Sequence, residues 1–222
     1  MQNKELSHQE SLALINSMIS KARDSFHSTG VGAMMWGVVV SVCALVKLAE
    51  IHFRFRLPFD INLLSLLAII PQVIFTIKEN KRKKAVSYDD AFVKATWLGF
   101  GITLFLLIFI INMIFDAYAP IYREYVQLAG HKPVFQLQEF VLPLFLILYG
   151  LPTFITGMGS KFRPMLWGGI ICWVSSIIAV FTEVRIDFLL TAFSAITAWF
   201  IPGLLMEKEY RKHKKSEGSM HV

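Results

Sequence analysis

The side chains able to do chemistry in this chain are few and lie far apart. His131 and Glu139 could together contact a metal, but an isolated histidine in a polar loop is ordinarily solvated, and no metal or cofactor is expected. Cys43 and Cys172 sit inside apolar runs, with no CxxC spacing and no neighbouring histidine, and read as small packing residues. No nucleophile has a recognisable base partner, and no glycine-rich phosphate loop appears, so the chain is not expected to be an enzyme. Asp116, Lys47, Glu139 and Glu183 fall near the ends of apolar runs. The groups in mid-run are Ser65, Gln72, Thr103, Asn112, Thr153, Ser175, Ser176 and Thr197. An ionisable residue deep in a membrane is costly and marks function by default. Essentially none is expected here, which argues against a carboxylate proton relay. What remains is a set of small residues and prolines: Gly37, Pro71, Gly150, Pro152, Thr153, Gly157, Gly168 and Pro202. Small residues let helices approach closely in lipid, and prolines break helices where a cavity can open.

The stretch Tyr149 to Trp173 concentrates these residues. It reads as the end of one membrane-spanning helix, a short turn, and the start of the next. Gly150, Thr153 and Gly157 recur at i, i+3, i+7 and share a helix face. Gly168, Cys172, Ser175 and Ser176 form a second small face. Pro152 removes one helical hydrogen bond, which a spanning helix tolerates when a neighbour satisfies the freed carbonyl.

Several apolar runs approach the roughly 20 residues that cross a bilayer, and 55% of the chain is hydrophobic. The expected fold is all-α, a polytopic membrane protein of six transmembrane helices. The spans are placed at about 31–49, 61–77, 95–117, 140–158, 165–181 and 188–206, with the longest loop at 118–138 and a brief loop at 183–187. They form the membrane domain over 31–206. A basic cytoplasmic tail over 207–222 follows, with a disordered Ser/Gly run at its end. Residues 1–30 precede the domain, and no cleaved signal peptide is expected there. Ser7 and Glu10 fit a capping box. Leu12, Ile15, Ile19, Ala22 and Phe26 then give an apolar stripe beside Lys21 and Arg23. This is read as an amphipathic helix lying in the interface, with packing under the spans as the competing idea.

Lys and Arg set the orientation. Of 22, sixteen fall on the N-terminal arm, the 78–94 connection, Lys161, Arg163 and the tail. That bias places both termini in the cytoplasm of an inner, plasma membrane. The charge is spread over every such connection without a binding motif, so nucleic acid is not an expected partner. The expected partners are the lipid bilayer and either a cytoplasmic protein or a second copy.

An ungapped shift of 131 residues places Met34 on Met165, Trp36 on Trp167, Gly37 on Gly168 and Pro71 on Pro202. Lys81, Lys83 and Lys84 then fall on Lys212, Lys214 and Lys215. A middle unit, Trp97 to Pro152, is 20 residues longer. The chain therefore reads as three helical hairpins, each entering with Trp and Gly and returning with Pro.

The span endings IIPQ, YGLPTFITG and FIPGLL, the hairpin SKFRPMLWGGIICW and the arm ESLALINSMISKAR resemble a family of small six-span bacterial inner-membrane proteins. The resemblance implies topology and carries no activity. Function is expected to be that of a non-enzymatic scaffold or sensor contacting a cytoplasmic partner. The alternative is a small transporter or channel subunit with a site near the Pro-broken helices.

Overall fold

A computed structural model describes residues 30–82, 88–133 and 136–220. The amphipathic helix expected before residue 30 lies outside the described residues. The described chain is all-helical. Its elements are α1 (Val31–Phe53), α2 (Leu63–Arg82), α3 (Tyr88–Ala129), a 3-10 turn (Leu137–Phe140), α4 (Val141–Gly159), α5 (Arg163–Ala179), α6 (Val184–Ala195), a π-turn (Ile196–Phe200) and α7 (Ile201–Met220).

Among the described residues, four stretches are long and apolar enough to cross a membrane: Val31–Phe53, Ala91–Ala129, Leu137–Gly159 and Val184–Lys212. Leu63–Lys78 and Arg163–Ala179 are shorter apolar helices. The most extensive interface is α4 on α5. Helix α1 packs along α6 and the π-turn, and α5 fits between α4 and α6. Helix α2 leans chiefly on α1, and α3 chiefly on α4.

The packing is inverted relative to a soluble domain. The buried residues are mostly small or hydroxylated, among them Ser41, Ala44, Thr153, Cys172, Ser175, Ser176, Ala195 and Ala198. Large aliphatic and aromatic side chains face outward along every helix, among them Leu66, Leu98, Phe105, Ile147 and Ile177. Exposed apolar surface of that extent marks contact with lipid or with partners. In lipid the drive to bury it vanishes, and close contact between small residues holds helices together.

Three boundaries differ from the sequence reading. Helix α3 continues through the expected 118–138 loop to Ala129, with Pro120 inside it. Tyr118 and Tyr122 pack ring to ring one turn apart, at 6.0 Å between centroids. The helix ends only at Gly130, whose φ of 71° suits glycine and whose N–H donates to the Val126 carbonyl at 3.0 Å. Second, α6 begins at Val184, so most of the expected 183–187 loop is helix. Third, α7 runs on to Met220 through the expected tail. Arg211 and Glu207, an i,i+4 pair at 2.8 Å, support it.

Candidate functional site

Proline sets the local geometry of the centre. Pro202 has no N–H, and its ring crowds the carbonyl of residue 198. The chain answers with the π-turn Ile196–Phe200, where the N–H of Ile201 reaches back to the Ile196 carbonyl. Thr197 Oγ1 donates to the Phe193 carbonyl at 2.9 Å and lies 3.2 Å from the Ser194 carbonyl. Such π-turns are frequent at functional sites. In α4, Pro152 frees the Leu148 carbonyl, and the adjacent Ile147 carbonyl accepts the indole N–H of Trp173 at 3.2 Å.

Several sequence-predicted residues converge here. A Cβ on Gly37 would lie 2.6 Å from the Phe200 nitrogen, and one on Gly168 would lie 2.5 Å from the Ala198 Cα. Thus α1 and α5 touch the π-turn backbone directly. Pro152, Thr153 and Pro202 are fully buried. Gly150 and Gly157 face α5: a Cβ on Gly150 would overlap the Trp173 ring, and one on Gly157 would overlap the Leu166 backbone. Pro71 is not part of this centre. It lies on α2, partly exposed, and α2 there remains α-helical.

The α4–α5 turn is a Schellman motif. The Phe162 N–H donates to the Gly157 carbonyl at 2.9 Å, and the Lys161 N–H donates to the Met158 carbonyl at 3.2 Å. Lys161 occupies the left-handed position at φ 52°. Pro164 then stands in the first turn of α5, where its missing N–H costs nothing.

Aromatic residues absent from the predicted set tie the helices together. Trp199 donates its indole N–H to Thr153 Oγ1 at 2.8 Å, and Thr153 donates to the Tyr149 carbonyl at 2.8 Å. One turn along, Trp97 donates to Thr156 Oγ1 at 3.1 Å. The two indoles meet edge-on at 6.4 Å, and Trp199 also packs on Tyr149 at 5.0 Å. Two Trp–Thr rungs therefore join α3, α4 and the π-turn. Thr153 and Thr156 stand three apart on α4, and that spacing was the available signal.

The carboxylate of Asp187, expected in the 183–187 loop, is instead buried among the helices. It is 0% exposed in the first turn of α6. Thr182 donates to its Oδ1 at 2.7 Å. Its Oδ2 has no partner among the described residues, nor has Ser194 Oγ. Asp187, Thr191 and Ser194 recur at i, i+4, i+7, all buried, so a polar stripe runs along α6. Ser41 on α1 lies 3.2 Å from the Ala192 carbonyl beside it.

Clefts open at the surface of the described residues. One, of about 360 Å³, lies between α3 and α4 and is lined by Leu107, Leu144, Leu151 and Trp173, with Thr103 as its polar edge. Another, of about 500 Å³, is at the end of α1 around Lys47, Glu50, Arg54 and Arg56. Among the described residues no three His, Cys, Asp or Glu side chains gather as metal ligands. His131 packs edge-on against Tyr125 at 5.7 Å.

No family model matches the chain, and neither a curated protein nor a solved structure matches it.

Proposed function

We propose that this chain is a six-span inner-membrane protein of three hairpins, with both termini cytoplasmic, that acts as a non-enzymatic scaffold for a cytoplasmic partner. The membrane reading rests on one observation: large apolar side chains face out while small and hydroxylated ones fill the centre. Support for six spans comes from connectivity. Short turns join α5 to α4 and to α6, and α5 packs between them. If those neighbours cross the bilayer, α5 crosses with them. The resemblance to small six-span bacterial proteins agrees with that count.

The scaffold reading is supported by direct contact at the centre. Glycines on α1, α4 and α5 meet backbone or ring atoms of their neighbours without intervening space. Most buried hydroxyls are engaged with a carbonyl or an indole. The basic bias then leaves the 78–94 connection and α7's end as the surfaces for a partner. The transporter alternative is favoured by a different observation, the unpartnered Asp187 Oδ2 and Ser194 Oγ beside a Pro-linked π-turn.

Single cysteines at Thr153, Ser175 and Ser194, in a background lacking Cys43 and Cys172, separate the two. The scaffold reading expects none to react with a membrane-impermeant thiol reagent in intact membranes. It also expects a photo-crosslinker at Lys212 to give a discrete adduct with another protein. Labelling at Ser194 together with no adduct would instead establish a water-filled path. A tag after Val222 should be reached by protease from the cytoplasmic side alone, and external cleavage would refute the orientation.

A further inference from the structure

The loop after α1 is built rather than slack. Arg54 closes the helix at a left-handed φ of 56°. The Leu57 N–H donates to Glu50 Oε1 at 3.0 Å, folding the loop back onto the helix. Lys47 Nζ lies 3.0 Å from Glu50 Oε2 and 3.2 Å from Asp60 Oδ1. The Asn62 N–H donates to Asp60 Oδ1 at 3.0 Å. That N–H first, and Lys47 beside it, hold the Asp60 carboxyl below its ordinary range.

Both carboxylates are thus engaged, and the arginines are not. Arg54 and Arg56 line the cleft of about 500 Å³, and no carboxylate among the described residues pairs with either. Three cations stand against two carboxylates, which leaves a net positive cleft. Phe55 lines the cleft, and Phe53 and Phe59 belong to the same turn of chain; the three are 41%, 72% and 55% exposed. Aromatic side chains and arginines at the end of an apolar helix belong at headgroup depth.

We infer that Arg54 and Arg56 bind the phosphate of an anionic phospholipid headgroup, with Phe53, Phe55 and Phe59 against the lipid below it. The guanidinium fork matches phosphate oxygens with two parallel hydrogen bonds, which a point charge such as Lys47 does not. A free phosphate shares this chemistry, but it would have no use for three exposed phenyl rings. The inference rests on the membrane reading above and goes beyond the scaffold role.

The test is native mass spectrometry of the full chain from detergent micelles supplied with phosphatidylglycerol or phosphatidylcholine. The wild type should retain phosphatidylglycerol in preference. The double variant Arg54→Gln/Arg56→Gln should retain about tenfold less of it, with phosphatidylcholine retention and melting temperature unchanged. Equal phosphatidylglycerol retention by the two proteins overturns the inference. Displacement of the lipid by excess inorganic phosphate overturns the lipid assignment in favour of a free anion. Failure of the wild type to retain either lipid would count against the membrane reading instead.

Discussion

Helix α3 holds the most apolar of the candidate spans, and none of its apolar stretch is buried. Its neighbour α4, with the 3-10 turn before it, is less apolar, yet nearly half of its apolar stretch is buried. In water the order would be reversed, because apolar area is what burial rewards. The inversion teaches what holds this molecule together. Helix α4 is recruited to the centre by Gly150, Thr153 and Gly157, which let α5 and Trp199 approach. Helix α3 has glycines too, but Gly99 and Gly101 have open space where a Cβ would go. Residue size on a face decides neighbours here, and hydrophobicity decides only which solvent the helix meets.

Overpacking should break the comparison most forcefully. Gly157→Leu drives a side chain into the Leu166 backbone and is expected to cost about 3 kcal/mol. Gly99→Leu on α3 should stay within about 0.5 kcal/mol. Thermal melting in detergent reads both, and equal losses would show that α3 is packed as tightly as α4.

Hydrogen-bond loss comes next. Trp199→Phe keeps an aromatic ring but a smaller one and removes the N–H that Thr153 accepts, an expected loss of about 2 kcal/mol from the hydrogen bond and the lost packing together. Trp167→Phe, at a residue 61% exposed, should change stability by no more than about 0.5 kcal/mol. A Trp199→Phe protein that melts like the wild type would remove the Trp–Thr rung from the account.

The turns that end the two helices differ more subtly. Helix α3 ends in a left-handed glycine, Gly130, while α4 ends in a left-handed lysine, Lys161. Gly130→Ala should therefore destabilise by about 1 kcal/mol, since an L side chain is strained there. Lys161→Gly should be neutral or stabilising by about 0.5 kcal/mol. A clear loss for Lys161→Gly would mean that its side chain, and not its backbone, matters at that turn.

Much of the architecture was legible because apolar runs and helical spacing are local signals. The run containing Val38 and Leu45, and the glycine face at 150–157, needed no knowledge of neighbours. Three features were not legible. The stretch 118–138 read as a loop, yet α3 passes through its first half with Pro120 inside the helix. Tyr118 and Tyr122 share a face and pack on each other, and that contact outlasts one lost hydrogen bond. Asp187 looked like a loop carboxylate because charge is usually solvated. Its burial follows from Thr191 and Ser194 continuing the same face, a pattern visible only once α6 is known to start at Val184. Pro71 and Pro202 looked equivalent under the 131-residue shift. Only the second has a π-turn before it, because α1 and α5 both press on that backbone while α2 stands at the periphery. Proline identity does not report how tightly a helix is held.

The central claim is that the apolar surface of α3 faces lipid while the small-residue centre does not. A photoactivated carbene reagent dissolved in the bilayer, mapped by peptide mass spectrometry, tests it directly. The account predicts heavy labelling of Leu98, Phe105 and Phe109, and none of Leu146, Thr153 or Ser194. An unlabelled α3, or a centre labelled as heavily as α3, would contradict it.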